Sequence, residues 1–503
     1  DLSLIIDQQK MTLGTFQTAA SLNNESGLTL APTTIQDFAF IHKISDTSED
    51  EPQATSNNPI DWTALEQTLS QPLLADLGQI ELPFDMHIQG IHGTNWQYQA
   101  INTKGESEFE VKVSAADLLA DATGDNVQLQ TLSVKSSLGE VQAKGQIQLQ
   151  ADFPLQLNIN ADLNALKQKE TVLLPATKAN LTLSGTLKKQ TALLLQTQGA
   201  LDAELSAEAQ LTAPKTPLKI KLAVARGQYP FDGNDPLSIK DVNLTINGDI
   251  LTSQIELKGA VNGMGIPANH LDLQAVGHLS NIEIHHLKLN ALEGSAELKG
   301  DVNWRDGVEW NSHLQLAKMN LGRYLSAFPA VLSGELSSQG QVNQNGWQVA
   351  VPQVDIQGTL AQHSLALQGG LTAGDQQGVT IPQLVLTYGE NKIHAQGSMG
   401  KQSDFTLNIH APNLRGLWAD LSASLVGQIK LNGDVMRPRV DVDLTANHVA
   451  FQQMHLNQAV IKGQINGEER VKGELDIHLN GFHYNDININ QLKLAVSGDE
   501  QKH

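Results

Sequence analysis

The chain has 503 residues and a formal net charge of −21, from 33 basic and 54 acidic side chains. A surface of this sign repels phosphate backbones and anionic headgroups, which argues against nucleic-acid binding. The complete absence of cysteine excludes disulfides, thiolate zinc sites and cysteine nucleophiles.

The first eighty residues divide into three predicted segments. Residues 1–44 start directly in a strand pattern and are predicted to form β-hairpins. Residues 45–58 are acidic and rich in turn formers, which predicts a disordered loop. Residues 59–78 are predicted to be helical, because Asn58 can cap a helix that has Pro59 at its first position. The chain opens inside a strand pattern and has no apolar run near the roughly 18–20 residues that span a bilayer, so we interpret it as an internal fragment.

Residues 79–503 are predicted to form one continuous β-structure. Apolar and polar residues alternate strictly in run after run, as where Leu155, Leu157 and Ile159 alternate with Gln and Asn. Gly, Asn, Asp and Pro separate the runs at short intervals, which favours antiparallel hairpins over helical crossovers.

An internal repeat interrupts this pattern. Each copy has an Asn/Asp-Leu step, a short apolar turn and then alternation that leads into a glycine; the copies span 162–189, 320–344 and 413–437. One or two helical turns are expected at 319–331 and at 413–418. The copies are unevenly spaced, which argues against a solenoid with a fixed rung.

No catalytic or cofactor motif is present in a suitable context. The segment GMGIPA at 263–268 fits a dinucleotide pattern, but Pro267 and the strand that follows leave no helix to hold a phosphate. The segment GSMGKQS at 397–403 has the wrong spacing for a P-loop. The 16 histidines include no H-E-x-x-H motif. We therefore predict a protein that is not an enzyme and that has no metal site and no cofactor.

The apolar face of a sheet has to be covered by another layer of protein, by closure of the sheet on itself, or by a ligand. Helical segments are too few for a helix layer, and a sandwich of this size would normally split into domains with linkers. The predicted fold is therefore all-β: a long, curled antiparallel sheet of about 30 strands that forms a U-shaped apolar groove, with a few short helices. The lining is aliphatic, because aromatic residues make up only 4% of the chain.

Such a groove suits hydrocarbon chains, which slide along a smooth aliphatic surface and need no catalytic residue. The apolar face of the alternating runs is predicted to supply the lipid-groove lining: Ile147, Leu149, Leu155, Leu157, Ile159, Leu181, Leu183, Leu244, Ile246, Ile255, Leu257, Leu314, Leu316, Leu407, Ile409, Leu425, Ile429, Leu431, Val440, Val442 and Leu444.

Several segments resemble the TamB family, in the AsmA-like group of bridge-type lipid-transfer proteins. They are LPFDMHIQGIHGTNWQYQ at 82–99, the stretch 291–325 and the opening residues, and the resemblance covers most of 80–465. It implies a periplasmic protein of a diderm bacterium, anchored in the inner membrane by a segment missing from this fragment. It also implies phospholipids and the outer-membrane barrel TamA as partners.

Three functions remain open on the sequence. The first is a conduit that carries phospholipid acyl chains between the inner and outer membranes. The second is a scaffold for assembly of outer-membrane proteins and autotransporters, in which strand edges template incoming β-rich clients. The third is a secreted β-helical adhesin, which the uneven repeats disfavour.

Overall fold

The computed structural model describes eight stretches of the chain: residues 2–6, 9–23, 27–43, 60–74, 77–168, 171–415, 420–467 and 472–499. The predicted loop 45–58, the proposed cap Asn58-Pro59 and the end of the predicted turn at 413–418 lie outside these residues. The chain separates into two compact units, unit 1 (Asp1–Leu279) and unit 2 (Ser280–His503).

Unit 1 contains nineteen strands and one helix among its described residues. In chain order they are β1 (Leu2–Ile6), β2 (Gln9–Gln17), β3 (Ala20–Asn23), β4 (Gly27–Leu30), β5 (Thr33–Lys43), α1 (Trp62–Leu69), β6 (Asp85–Ile101), β7 (Ser107–Thr123), β8 (Asn126–Ser136), β9 (Gly139–Gln148), β10 (Pro154–Leu163), β11 (Leu166–Gln168), β12 (Thr171–Leu174), β13 (Thr177–Thr186), β14 (Thr191–Gln198), β15 (Leu201–Ala209), β16 (Leu218–Tyr229), β17 (Leu237–Gly248), β18 (Thr252–Gly263) and β19 (Ile266–His278).

Unit 2 contains fourteen strands among its described residues, with a 3-10 turn at Leu321–Arg323. The strands are β20 (Asn281–Ala291), β21 (Gly294–Asn303), β22 (Val308–Asn320), β23 (Ala330–Asn343), β24 (Gly346–Leu360), β25 (His363–Gly374), β26 (Gly378–Tyr388), β27 (Asn391–Met399), β28 (Ser403–Ala411), β29 (Leu421–Asp434), β30 (Arg437–Phe451), β31 (Met454–Asn466), β32 (Lys472–Tyr484) and β33 (Ile487–Asp499).

Thirty-one of the strands belong to one open sheet, and β11 and β12 form a separate hairpin. From β6 onward, each strand of the large sheet pairs antiparallel with the next one along the chain within its unit. This confirms the predicted all-β class with very little helix. The sheet is mixed rather than purely antiparallel, because β4 and β5 both pair parallel with β6.

Helix α1 is the only α-helix in the described part of the chain, and it lies within the segment 59–78 that was predicted to be helical. Its cap is Asp61, whose side chain accepts a hydrogen bond from the backbone of the first turn. The segment after the helix is fastened to the turn between β15 and β16. There Lys215 N donates to Ser70 O at 3.2 Å, and Leu74 N donates to Leu211 O at 3.0 Å.

The buried core is small for a chain of this length. Most of the buried apolar residues are alanines, and Phe153, in the turn between β9 and β10, is the one large side chain that is fully buried among the described residues. A β-sandwich would bury leucines and isoleucines between two facing sheets. The larger aliphatic side chains of this sheet are therefore not enclosed between two facing sheets.

Candidate functional site

In unit 1, aliphatic residues form two continuous rows that cross eight strands, β10 and β13–β19. Residues opposite each other on antiparallel strands point to the same side of the sheet, so the pairing register identifies the members of each row. The first row is Ile159, Leu181, Leu195, Leu205, Leu222, Leu244, Leu257 and Leu273. The second row is Leu157, Leu183, Leu193, Ala207, Ile220, Ile246, Ile255 and Ala275.

In unit 2, two similar rows cross all fourteen strands, β20–β33. One is Leu287, Leu298, Leu314, Leu336, Val354, Gly369, Leu384, Ala395, Leu407, Ile429, Val442, Gly463, Leu475 and Val496. The other is Leu289, Ala296, Leu316, Gly334, Ile356, Leu367, Leu386, Ile393, Ile409, Gly427, Leu444, Ile461, Ile477 and Leu494. No position in either row is aromatic, polar or charged.

The predicted lining residues fall on the face that carries these rows. Twenty of the twenty-one lie within strands; the exception is Leu149, which follows the last residue of β9. All twenty-one are half-buried: none is buried and none is exposed. Each of these side chains therefore keeps part of its surface accessible.

Sequence reasoning missed several members of the rows. Leu193 and Leu195 sit in the run Ala-Leu-Leu-Leu, where strict alternation is hidden because Leu194 on the opposite face is also apolar. Leu222 and Leu273 were not singled out either. Their signal was available, since Leu273 lies between Asp272 and Gln274, and Leu222 continues the alternation of Lys219, Ile220 and Lys221.

Four glycines interrupt the rows of unit 2 where adjacent backbones come close together. A Cβ atom built on Gly334, Gly369 or Gly427 would lie 2.0 Å from a carbonyl oxygen of the next strand, and on Gly463 it would lie 2.3 Å away. Real Cβ atoms do not approach so closely, so only glycine fits. These positions keep the rows free of side chains where the strands crowd on the aliphatic side.

The opposite face is mostly polar and carries cross-strand ion pairs. Lys258 Nζ lies 3.2 Å from Asp272 Oδ2 across β18 and β19 in unit 1. Lys462 Nζ lies 3.1 Å from Asp443 Oδ2 across β30 and β31 in unit 2. Exposed pairs of this kind add little to stability, but they keep this face wetted by water. The two faces of the sheet thus differ sharply in chemistry.

At one margin of unit 2, a polar clamp holds the 3-10 turn against the turn between β20 and β21. Glu293 accepts hydrogen bonds from Asn320 Nδ2 at 2.8 Å and from Arg323 Nε at 2.8 Å. The hydrogen bond from Asn320, followed by that from Arg323, holds the pKa of Glu293 below its ordinary value of 4.5.

The clamp predicts a specific response to pH. Because the folded state lowers the pKa of Glu293, its stabilisation is present above pH 4.5 and is lost as the pH falls through the lower folded-state pKa. The variant Arg323→Gln is expected to raise this pKa, measured by NMR titration of the Glu293 carboxyl carbon. An unchanged titration in Arg323→Gln would contradict the assignment. Arg437→Gln, at the exposed first residue of β30, is the matched control and leaves the titration unaltered.

No group of three or more His, Cys, Asp or Glu side chains within the described residues is placed to hold a metal ion. None of the helices in the described stretches has the length and apolar character to cross a bilayer.

These features define a class: an open β-sheet protein with an aliphatic face that crosses eight strands of unit 1 and, interrupted by glycines, all fourteen strands of unit 2. The chain belongs to the family described as the TamB N-terminal domain, whose model matches residues 1–503. It is 44% identical over 507 residues to the translocation and assembly module subunit TamB of Haemophilus influenzae. That match covers 100% of this chain and 39% of the relative.

More distant similarity is found in Buchnera aphidicola. An uncharacterized protein of the subspecies Schizaphis graminum is 21% identical over 58% of this chain and 28% of its own length. Another uncharacterized protein, of the subspecies Acyrthosiphon pisum, is 20% identical over 57% of this chain and 28% of its own length. No solved structure matches the chain. The chain thus spans well under half of each of these relatives.

Proposed function

We propose that this chain is part of a lipid-transfer conduit, in which the aliphatic face of each unit holds the acyl chains of phospholipids. The observation that carries this proposal is the pair of aliphatic rows in each unit, most of whose side chains are half-buried. A surface of this kind is costly to leave in water, and phospholipid tails are the abundant cellular hydrocarbon that would cover it.

The energetics of transfer support this function. Each methylene removed from water gains about 0.8 kcal/mol, so an acyl chain of about 16 carbons costs on the order of 12 kcal/mol to move through water. An apolar face that continues from strand to strand offsets most of this cost at each step. Lateral movement then requires no bond to break, which agrees with a surface built only from aliphatic side chains and glycine.

The proposed setting is the periplasm of a diderm bacterium. In the whole protein, an inner-membrane anchor and the outer-membrane barrel TamA would place the conduit between the two membranes. The name of the Haemophilus relative, a subunit of a translocation and assembly module, supports this setting. Phospholipid is the proposed cargo and TamA the proposed protein partner.

A second candidate function is a scaffold for assembly of outer-membrane proteins. Two observations favour it: the name of the Haemophilus relative, and the edges of β1 and β33, each of which has a single partner strand among the described elements. A free strand edge can pair with an incoming strand. This function would use backbone edges and would not require the aliphatic rows.

Native mass spectrometry on the purified chain, followed by lipid extraction, tests the primary proposal. We expect phospholipid to copurify and to be removed by detergent exchange. A chain that carries no lipid after mild purification, yet crosslinks to unfolded β-rich clients through β1 or β33, would favour the scaffold instead.

A further inference from the structure

A cavity of about 360 Å³ lies at one margin of unit 1, where β16 turns into β17. Residues of both faces of the sheet line it. Gly227 and Ile239, which pair across the two strands, belong to the aliphatic side. Arg226 and Lys240 pair at the next position and belong to the polar side. Phe231, in the connecting turn, adds an aromatic wall.

The cavity concentrates positive charge in a chain whose net charge is −21. Arg226 and Lys240 are direct cross-strand neighbours, so two cations stand side by side. The other cross-strand neighbour of Lys240 is Ala260, which brings no carboxylate. Within the described part of the chain, Lys240 Nζ has no ion-pair partner. Like charges placed this way repel, so an anion between them is stabilising.

Nearby carboxylates neutralise only part of this positive charge. Asp202 Oδ2 accepts from Arg226 Nε at 2.5 Å, while its Oδ1 accepts from the backbone of Gly199 at 2.8 Å. That bond occupies one edge of the guanidinium, and among the described residues its terminal amino groups carry no protein partner. The carboxylate of Asp232 makes a different contact: its Oδ2 accepts a hydrogen bond from Val172 N in the β11–β12 hairpin.

We propose that this cavity binds a phosphate-bearing anion, with Arg226 and Lys240 as its donors. Arginine suits phosphate because its planar fork presents several N–H donors in one direction, and lysine adds a compact second charge. Since Ile239 and Gly227 join the cavity to the aliphatic face, the phosphate of a lipid headgroup fits there while its tails lie on that face. The headgroup assignment rests on the proposed lipid function; the anion site does not.

The test is isothermal titration calorimetry on the full chain with three probes: dioctanoylphosphatidylglycerol, dioctanoylglycerol and inorganic phosphate. The double variant Arg226→Gln/Lys240→Gln is expected to bind the anionic lipid at least about tenfold more weakly, because it loses two charge-assisted contacts. Binding of the neutral dioctanoylglycerol is expected to stay the same. Inorganic phosphate that competes as strongly as the lipid identifies a free-phosphate site, and much weaker competition identifies a headgroup site.

The matched control is Lys219→Gln/Lys221→Gln. It removes the same charge from exposed positions on β16, away from this cavity. The proposal is overturned if Arg226→Gln/Lys240→Gln binds the anionic lipid as the unmodified chain does, or if the control loses affinity equally. A chain that binds phosphate but never retains lipid tails would leave the site standing and reject the conduit.

Discussion

Replacing Leu157 by aspartate is expected to remove most of the phospholipid that copurifies with the chain. Leu157 belongs to the second aliphatic row of unit 1, between Leu183 on β13 and Gly145 on β9. A carboxylate there would have to lose its water wherever an acyl chain lay against it, at a cost of several kcal/mol. We expect at least a several-fold loss of bound lipid by quantitative extraction and, in the full-length protein, loss of transfer between membranes.

The matched control is Gln156→Asp, which introduces the same side chain one residue away on the same strand. Gln156 is exposed on the polar face, opposite Gln146 and Ser184. It is expected to leave lipid binding unchanged. Circular dichroism separates loss of lipid from loss of fold, since both variants should retain the β spectrum. Equal lipid content in Leu157→Asp and Gln156→Asp would contradict the assignment of the face.

Substituting valine for Gly369 is expected to destabilise unit 2 by about 3 kcal/mol or more. Gly369 has a φ of +138°, and a Cβ atom there would lie 2.0 Å from Gln383 O and 2.8 Å from Leu384 Cα. Neither backbone atom can move without breaking the pairing of β25 with β26. The measurement is the free energy of unfolding in urea, followed by circular dichroism.

Gly78→Val provides the comparison, because nothing lies within 4 Å of a Cβ atom at Gly78. Its stability is expected to stay within about 0.5 kcal/mol of the unmodified chain. If Gly369→Val unfolds at the same urea concentration as Gly78→Val, the strands at Gly369 do not crowd as described. The glycines in the rows would then need another explanation.

The strands and their apolar face could be predicted from sequence because both depend on local alternation. Ile255 and Leu257 alternate with Gln254, Glu256 and Lys258, and this pattern alone fixes a strand with one aliphatic side. The continuity of the rows follows once neighbouring hairpins pair in register, as Leu244 does with Leu257.

Features that depend on distant contacts could not be predicted. The parallel pairing of β5 with β6 joins segments separated by α1 and has no local signal. Asn95 has a φ of +56° within β6, a conformation that shifts the alternation, and its side chain bonds to Asp37 on β5. As a result Trp96 lies over Gly93, on the same side of the sheet. The cationic cavity likewise needs Arg226 and Lys240 in register across two strands, which composition does not reveal.

Residues on the two faces of one strand have separate roles in the proposed conduit. Aliphatic positions would contact cargo, polar positions would keep the sheet in solution, and the pairing edges join each strand to the next. A change at one position acts on one role, which is why neighbouring residues serve as controls for each other.

Photocrosslinking along β18 shows directly whether acyl chains lie on the aliphatic face. A photoreactive amino acid is placed in turn at positions 254, 255, 256 and 257 of the full-length protein in living cells, and crosslinked phospholipid is measured by mass spectrometry. We predict lipid adducts at Ile255 and Leu257 and none at Gln254 and Glu256. Adducts at neither pair, or equal yields at all four, would show that hydrocarbon does not occupy the aliphatic face.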